Sequence, residues 1–306
     1  MFSVIFPGQG SQIVGMGGDL IERYKKVKEN FEKANDILGF SISNLILNGP
    51  REKLDLTENT QPAIFLLSYS IFDLLKNEHG IDLNKAKYFA GHSLGEYSAL
   101  AASGVLSFSD TLKILRTRGK AMQSAVPKGE GGMVAVLGIG IEEVEEIIKN
   151  YSCEIANDNS NGQLVVSGST NNLNNLILEL KNKKIKNIKL PVSAPFHCKL
   201  MNAATEIMRA ELDKIKFNEG KNELISNVTA KAISEANVIK ELLIKQIESR
   251  VRWRESVNFM IKNGTKQFIE IGPGKVLSGL IKRIDKNVKV SAINNEEDIK
   301  IINLND

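Results

Sequence analysis

The pentapeptide Gly91-His92-Ser93-Leu94-Gly95 indicates both the fold and the chemistry of this chain. It has the form Gly-x-Ser-x-Gly, in which a serine stands on a sharp turn between a strand and a helix with its hydroxyl exposed. Residues 87–90, which are apolar after Lys87, predict a buried strand before the turn, and a helix-forming run at 94–102 follows it. This context favours Ser93 as a catalytic nucleophile over the alternative of an ordinary strand-to-helix turn.

Strands alternate with helical patterns on both sides of this motif. Residues 2–7 predict a first strand, and residues 19–38 predict one amphipathic helix. A second helix is expected over 60–77 with Pro62 in its first turn, and a third is expected to be capped by Ser109. Strands separated by helices favour an α/β fold with a parallel sheet that is covered on both faces.

The middle of the chain has a different order of elements. After the glycine-rich break at 129–132, the pattern is β-α-β-β-α-β, with a polar turn expected at 157–162. This is the order of a ferredoxin-like unit. We therefore predict a discontinuous large α/β subdomain, residues 1–125 and 197–306, interrupted by a ferredoxin-like small subdomain, residues 126–196. A ligand is expected in the cleft between them.

Composition excludes several classes of protein. The 306 residues include 40 Lys plus Arg and 36 Asp plus Glu, a net charge of +4, with 42% hydrophobic residues. These values are typical of a globular protein and exclude a disordered chain. The weak basic excess does not predict nucleic-acid binding. No apolar stretch approaches the roughly 20 residues of a membrane span, so no membrane partner is predicted.

The two cysteines, Cys153 and Cys198, are too few for a disulfide scaffold and lack the spacing of a metal site. We predict neither a metal nor a cofactor. The N-terminal residues 1–7 carry no basic segment before their apolar run, which favours a first strand over a secretion signal. The cytoplasm, where the thiols stay reduced, is the expected compartment.

A serine nucleophile needs a base, and the chain has three histidines. His79 is expected in solvent at a helix end, and His92, next to the nucleophile, is expected to make a structural hydrogen bond. His197 lies where the small subdomain returns to the large one, at the expected cleft. By elimination His197 is the candidate base, with a purely structural histidine as the alternative.

Two further features bear on the site. The turn at 8–12 could resemble a dinucleotide-binding loop, but Ile13 stands where the third glycine would be required, so we reject that interpretation. Together with the N–H of Leu94, backbone N–H groups of this turn could form an oxyanion hole.

On the helix after the motif, Arg116 and Arg118 point about 200° apart, so at most one of them faces the cleft.

Taken together, these motifs resemble the malonyl-CoA:acyl carrier protein transacylase family. The matching segments run from residue 2 to about residue 280 in family order: Phe6-Pro7-Gly8-Gln9-Gly10-Ser11-Gln12, Gly91-His92-Ser93-Leu94-Gly95-Glu96-Tyr97, Arg116-Thr117-Arg118-Gly119, Pro195-Phe196-His197, Val251-Arg252-Trp253 and Glu270-Ile271-Gly272-Pro273-Gly274. The resemblance implies a hydrolase-like large subdomain with a ferredoxin-like insertion. The Phe196-His197 pair is more similar to malonyl-type than to methylmalonyl-type acyltransferases.

The resemblance also implies an enzyme with a ping-pong mechanism. Ser93 would take the malonyl group from malonyl-CoA with His197 as base, and the phosphopantetheine thiol of an acyl carrier protein would then accept it. By the family's motifs, the N–H groups of Gln9 and Leu94 would hold the oxyanion, and Arg118 would bind the malonyl carboxylate. Gln246 would orient His197 through its backbone carbonyl.

Three alternatives to a transacylase that supplies fatty acid synthesis remain: a free-standing acyltransferase of a polyketide pathway, a serine thioesterase, and a silent scaffold that only binds carrier protein. Because carrier proteins are typically acidic, two basic clusters are candidates for docking. One comprises Lys181, Lys183, Lys184, Lys186 and Lys189, and the other Arg250, Arg252 and Arg254.

Overall fold

The structure is a computed structural model that describes residues 1–192 and 194–301. Ser193 in the predicted small subdomain and the last residues of the predicted large one, 302–306, lie outside the described residues.

The described strands alternate with helices along most of the chain. In chain order the strands are β1 (Phe2–Phe6), β2 (Tyr88–Gly91), β3 (Gly131–Leu137), β4 (Glu154–Ser160), β5 (Gln163–Ser169), β6 (Lys186–Lys189), β7 (Glu223–Ile225), β8 (Ala232–Ile233), β9 (Gln267–Ile271) and β10 (Lys289–Ile293). The helices are α1 (Gly18–Arg23), α2 (Lys25–Leu38), α3 (Ile42–Asn48), α4 (Arg51–Leu54), α5 (Thr57–Asn77), α6 (Leu94–Ser103), α7 (Phe108–Ser124), α8 (Ile141–Ile148), α9 (Thr170–Asn182), α10 (Asn202–Leu212), α11 (Ala236–Gln246), α12 (Trp253–Lys262), α13 (Val276–Ile284) and α14 (Glu296–Ile301).

The larger sheet has the strand order β10-β9-β1-β2-β7-β8. Its first five strands pair in parallel, and β8 runs antiparallel to β7 at the edge. Because the carboxyl ends of parallel strands meet at one edge, the segments after β1, β2 and β7 lie close together. The predicted parallel α/β fold is confirmed.

The second sheet has the order β4-β5-β3-β6, and all its pairs are antiparallel. Helices α8 and α9 cover this sheet through a separate apolar cluster that includes Val144 and Ile148 of α8 and Leu173 and Leu176 of α9. With its element order β-α-β-β-α-β, this part of the chain is ferredoxin-like, as predicted.

The polar turn predicted at 157–162 is wrong over most of its length, because β4 continues to Ser160. The side chain of Asp158 is fully buried there and accepts hydrogen bonds from Arg254 at 2.8 and 2.9 Å. The Asp158 N–H donates to Val251 at 2.9 Å. Partners from a distant part of the chain, Val251 and Arg254, thus satisfy polar groups that would otherwise keep this segment at the surface.

Two helix starts and one helix interior also differ from the prediction. The helix expected over 19–38 is two helices, because Tyr24 is extended between them (φ −114°, ψ 112°). The cap of α7 is Ser107, not Ser109, and its hydroxyl accepts from the N–H of Asp110 at 3.0 Å. Sequence spacing locates a helix well but locates its first residue poorly.

Pro62 is the sixth residue of α5 rather than a member of its first turn. Proline has no N–H, so the carbonyl of Glu58 loses its partner within the helix. Arg116 replaces that partner by donating to the Glu58 carbonyl at 2.8 Å, and its guanidinium also stacks over the ring of Phe40. Arg116 is therefore a structural cation.

Among the described residues, no helix is both long and apolar enough to cross a membrane. Cys153 and Cys198 are buried free thiols.

Candidate active site

The turn at Ser93 is held in an unusual backbone conformation between β2 and α6, with φ 55° and ψ −108°. Glycine is required on both sides of this turn, because each flanking residue packs directly against other backbone atoms. A Cβ on Gly91 would come within 1.9 Å of the Gly95 backbone, and a Cβ on Gly95 would come within 2.2 Å of the Phe6 carbonyl oxygen. No side chain fits at either position, which explains the Gly-x-Ser-x-Gly spacing.

Asn227 connects this turn to the segment after β7 by hydrogen bonds. Its side-chain oxygen accepts a hydrogen bond from the N–H of Ser93 at 2.7 Å, and its side-chain nitrogen donates to the carbonyl of Gly91 at 2.7 Å. Asn227 lies two residues after β7, which pairs with β2. Sequence reasoning missed this residue, since its position after a strand becomes informative only when the strand order is known.

His197 is the histidine that is hydrogen-bonded to the Ser93 hydroxyl. Its Nε2 lies 2.8 Å from Ser93 Oγ, and its Nδ1 lies 2.8 Å from the backbone carbonyl of Gln246. A carbonyl only accepts, so Nδ1 carries the proton and Nε2 accepts from the serine hydroxyl. The other two histidines have other partners: His92 is bonded to Asn159 at 2.8 Å, and His79 is exposed against the ring of Tyr24.

The environment of His197 keeps its imidazole neutral. The side chain is 4% exposed, and burial together with the nearby cation of Arg118 lowers its pKa to about 3. A backbone carbonyl stands where many serine enzymes have an aspartate, so the hydrogen bond at Nδ1 brings no negative charge to oppose these effects. The imidazole is therefore free to accept a proton throughout the neutral pH range.

Arg118 projects from α7 into the same site and is 1% exposed. Its terminal nitrogens donate to Gln61 Oε1 at 2.8 Å, to Gln246 Oε1 at 2.7 Å and to Ser93 Oγ at 3.1 Å. The ring of Tyr97 lies beneath the guanidinium at 5.4 Å. All these partners are neutral, so the cation lacks a direct carboxylate partner among the described residues. Of the two predicted arginines, Arg118 faces the site.

Gln246, at the end of α11, is fully buried and contacts several parts of the site. Its backbone carbonyl accepts from His197, and its side-chain oxygen accepts from Arg118. Its side-chain nitrogen donates to the carbonyl of Ser93 at 3.1 Å and to Glu96 Oε2 at 2.7 Å. Sequence reasoning included Gln246 only for its carbonyl and missed both Glu96 and Gln61.

Two backbone segments border the turn at Ser93. Leu94 is the first residue of α6, so its N–H has no acceptor within the helix. Gln9 follows β1, and the chain approaches closely here, since a Cβ on Gly8 would lie 2.7 Å from the His92 carbonyl. The Gln9 side chain donates to Thr57 at 3.3 Å. Both segments predicted for the oxyanion hole thus lie beside the turn.

An open cavity joins these groups, and the space inside it, including the solvent at its mouth, is about 560 Å³. Segments from both sheets line it: Gln9, Gln61, His92, Ser93, Leu94, Arg118, Met122, Met133, Asn157, Leu190, Val192, Phe196 and His197. The polar groups gather around Ser93, while apolar side chains form much of the remaining wall. Within residues 1–192 and 194–301, no group of three or more His, Cys, Asp or Glu could hold a metal ion.

Comparison with known proteins shows the family of this chain. The acyl transferase domain family matches residues 3–299. A malonyl CoA-acyl carrier protein transacylase of Bacillus subtilis (strain 168) is 42% identical over 97% of this chain and 94% of that protein. One of Staphylococcus aureus (strain COL) is 41% identical over 99% of both chains. The chain belongs to the malonyl-CoA:acyl carrier protein transacylase family.

Solved structures of this transacylase family are similar over the whole fold. The acyl-carrier-protein-S-malonyltransferase of Bartonella henselae superposes with a TM-score of 0.95 at 40% identity over 98% of both chains. A malonyl-transacylase in complex with its type II PKS acyl-carrier protein superposes with a TM-score of 0.94 at 36% identity over 98% of this chain and 97% of that one.

Proposed function

We propose that this chain transfers the malonyl group of malonyl-CoA to the phosphopantetheine thiol of an acyl carrier protein through a malonyl ester on Ser93. One observation carries the proposal: Ser93 Oγ lies 2.8 Å from the unprotonated nitrogen of His197 and 3.1 Å from the guanidinium of Arg118. A nucleophile beside a base supports acyl transfer. A buried cation beside that nucleophile supports an acyl group that carries a carboxylate.

In the first half-reaction, Ser93 Oγ attacks the thioester carbonyl carbon while its proton passes to Nε2 of His197. The negative charge on the carbonyl oxygen is held by the N–H groups of Leu94 and Gln9, and the positive end of α6 adds to this attraction. The carbon–sulfur bond then breaks, and His197 gives its proton to the departing thiolate of coenzyme A. The products are malonyl-Ser93 and free coenzyme A.

The second half-reaction reverses these roles. His197 takes the proton of the phosphopantetheine thiol, and the thiolate attacks the ester carbon. The carbon–oxygen bond to Ser93 breaks, and the serine oxygen recovers the proton from His197. Gln246 keeps Nδ1 protonated throughout, because its carbonyl accepts from that nitrogen at 2.8 Å.

Arg118 supports malonyl-CoA rather than acetyl-CoA as the donor. A buried guanidinium that meets only neutral groups binds an acyl carboxylate well, whereas an acetyl group leaves it without that partner. Sites built around a polar partner can reject an analogue lacking it by about 10⁴-fold.

A serine thioesterase would share Ser93 and His197 but would pass the acyl group to water. The test is incubation with malonyl-CoA in the absence of carrier protein, followed by the intact mass of the protein and assay of free malonate. We expect one malonyl group on the wild-type chain, none on Ser93→Ala, and transfer from Ser93 to a thiol rather than to water when carrier protein is added. Rapid accumulation of free malonate would show that the chain is a hydrolase and not a transferase.

We further propose that the acceptor belongs to fatty acid synthesis and that the reaction takes place in the cytoplasm. The likeness to a transacylase bound to a type II PKS carrier gives a polyketide carrier as the competing acceptor. Two free thiols are consistent with a reducing compartment. Measuring kcat/KM with each carrier protein of the source cell decides the pathway, and fractionation of that cell decides the compartment. A higher value for a polyketide carrier would overturn the first assignment.

We propose that the carrier docks on the β6 lysine surface, defined as Lys181, Lys183, Lys184, Lys186 and Lys189. All five side chains are exposed, and β6 is an edge strand. Leu190 and Val192, just after β6, line the cavity, so this surface borders its mouth. The competing arginine cluster is neutralised, because Arg250, Arg252 and Arg254 pair with Glu145, Glu255 and Asp158.

A further inference from the structure

Glu96 is a buried carboxylate that the steps above do not use. It is the third residue of α6 and is 2% exposed. Its Oε2 accepts hydrogen bonds from the side chain of Gln246 at 2.7 Å and from the N–H of Asn227 at 3.1 Å. A buried acid is costly unless its partners satisfy it. Both partners of Glu96 contact Ser93, which connects the acid to the nucleophile from two sides.

The carboxamide of Gln246 connects Glu96 to Arg118. Its nitrogen donates to Glu96, and its oxygen accepts from Arg118 at 2.7 Å. An ionised carboxylate only accepts and a guanidinium only donates, so the two groups fix which end of the amide faces which. Glu96 thereby determines the orientation of the acceptor that holds Arg118.

The amide also keeps the two charges apart. Arg118 contacts three neutral oxygens, and its Nε has no partner among the described residues. A direct ion pair with Glu96 would occupy the guanidinium and leave less of it for a substrate. With one carboxamide between them, the carboxylate still acts on Arg118 through space while the cation remains available.

We propose that Glu96 is a positioning residue that sets the preference for carboxylated acyl groups: it orients Arg118 through Gln246, and its negative charge offsets part of the attraction of Arg118 for the acyl carboxylate. This inference rests on the function proposed above.

The charge of Glu96 changes near neutral pH, because burial raises the pKa of its carboxyl to about 7 in spite of the hydrogen bonds and of Arg118. The other titratable groups around it do not change charge there. Arg118 stays cationic, the pKa of Tyr97 is raised to about 12, and that of His197 is lowered to about 3. As pH rises through 7, the malonyl preference therefore falls, by about three- to tenfold for charges this close in a protein.

The test is Glu96→Gln, whose amide oxygen can still accept from Gln246 and Asn227 but carries no charge. The quantity measured is the ratio of kcat/KM for acylation of Ser93 by malonyl-CoA and by acetyl-CoA between about pH 6 and 8. Both donors carry the same coenzyme phosphates, so their ionisation cancels in the ratio. We expect the wild-type ratio to fall with rising pH and the variant ratio to stay flat at the higher, low-pH value.

Glu96→Ala removes the acceptor as well as the charge. We expect the malonyl-to-acetyl ratio of this variant to fall about tenfold below that of Glu96→Gln, because Arg118 loses its fixed partner. If Glu96→Ala does not fold, the pH dependence of the malonyl-to-acetyl ratio of Glu96→Gln is sufficient to test the proposal. A Glu96→Gln ratio that follows the wild-type pH profile would overturn the proposal. Absence of malonyl-Ser93 in the wild-type chain would instead overturn the transferase function itself.

Discussion

The guanidinium of Arg118 donates a hydrogen bond to the Oγ of Ser93 at 3.1 Å. In a malonyl group, one methylene separates the carboxylate from the thioester carbon. A cation in contact with the nucleophile can therefore hold the carboxylate while the carbonyl carbon meets Oγ. We expect substrate binding to draw Arg118 toward the carboxylate and to leave the serine oxygen bonded to His197, which would favour attack.

Arg118 should select the acyl group. We expect Arg118→Ala to lower kcat/KM for malonyl transfer by about 10³-fold or more, since the substrate carboxylate enters a pocket without a cation. Acetyl transfer should be spared or increased. Acylation rates with the two donors check this, and an equal loss with both would show that Arg118 does not recognise the carboxylate.

His197 should act as a base down to acid pH. Because its pKa is lowered to about 3, we expect kcat/KM for acetyl-CoA to stay level from about pH 8 to 5. His197→Gln should lower it by about 10²- to 10⁴-fold. An acid limb centred near the ordinary histidine value of 6.5 would contradict this assignment.

The lowered pKa of His197 also predicts how the free energy of unfolding depends on pH. The unfolded chain binds a proton on this histidine near pH 6.5, whereas the folded chain does not until about pH 3. The stabilising contribution is thus present above pH 6.5 and lost as pH falls toward 3. His197→Gln should lose less stability over that range than the wild-type chain in urea unfolding.

Asn227 should position the nucleophile. Asn227→Ala leaves the Ser93 N–H without its 2.7 Å acceptor, which costs about 1–3 kcal/mol for a buried donor. We expect acylation to slow about 10²-fold because the serine leaves its strained conformation.

Asn222→Ala is the matched control for this variant, since the Asn222 side chain also bonds two backbone groups, donating to the carbonyls of Asn84 and Ala86, but lies away from the serine. The control should lose stability and keep its acylation rate when folded. Similar rates for the two variants would remove Asn227 from a positioning role.

The β6 lysine surface should contribute to carrier binding alone. We expect the double variant Lys186→Glu and Lys189→Glu to raise KM for carrier protein about tenfold at low salt, with a smaller effect at high salt. Acylation by malonyl-CoA should not change.

Lys262→Glu with Lys266→Glu provides the control, because these exposed lysines precede the amino end of β9, whereas Ser93 lies at the carboxyl ends of the parallel strands. Equal KM values for the two double variants would exclude β6 as the docking surface.

Local signals predicted much of the fold but not its details. The period of apolar residues located most strands and helices, and the glycines of the 91–95 motif located the nucleophilic turn. The same reasoning was wrong at 157–162, because Asp158 finds its partner Arg254 almost a hundred residues away. It also placed Pro62 too early in its helix, since the compensating donor, Arg116, comes from another helix.

By itself, the sequence determined the fold class, the family and the candidates Ser93, His197 and Arg118, because strand-turn-helix order and residue type are local properties. Only the tertiary structure decided which cluster of cations is neutralised and that Arg116 instead caps a carbonyl left free in α5. It alone revealed that Asn227, Gln61 and Glu96 surround the site. Hydrogen bonds of 2.7–3.1 Å join residues more than a hundred positions apart, and no local pattern in the chain specifies that distance.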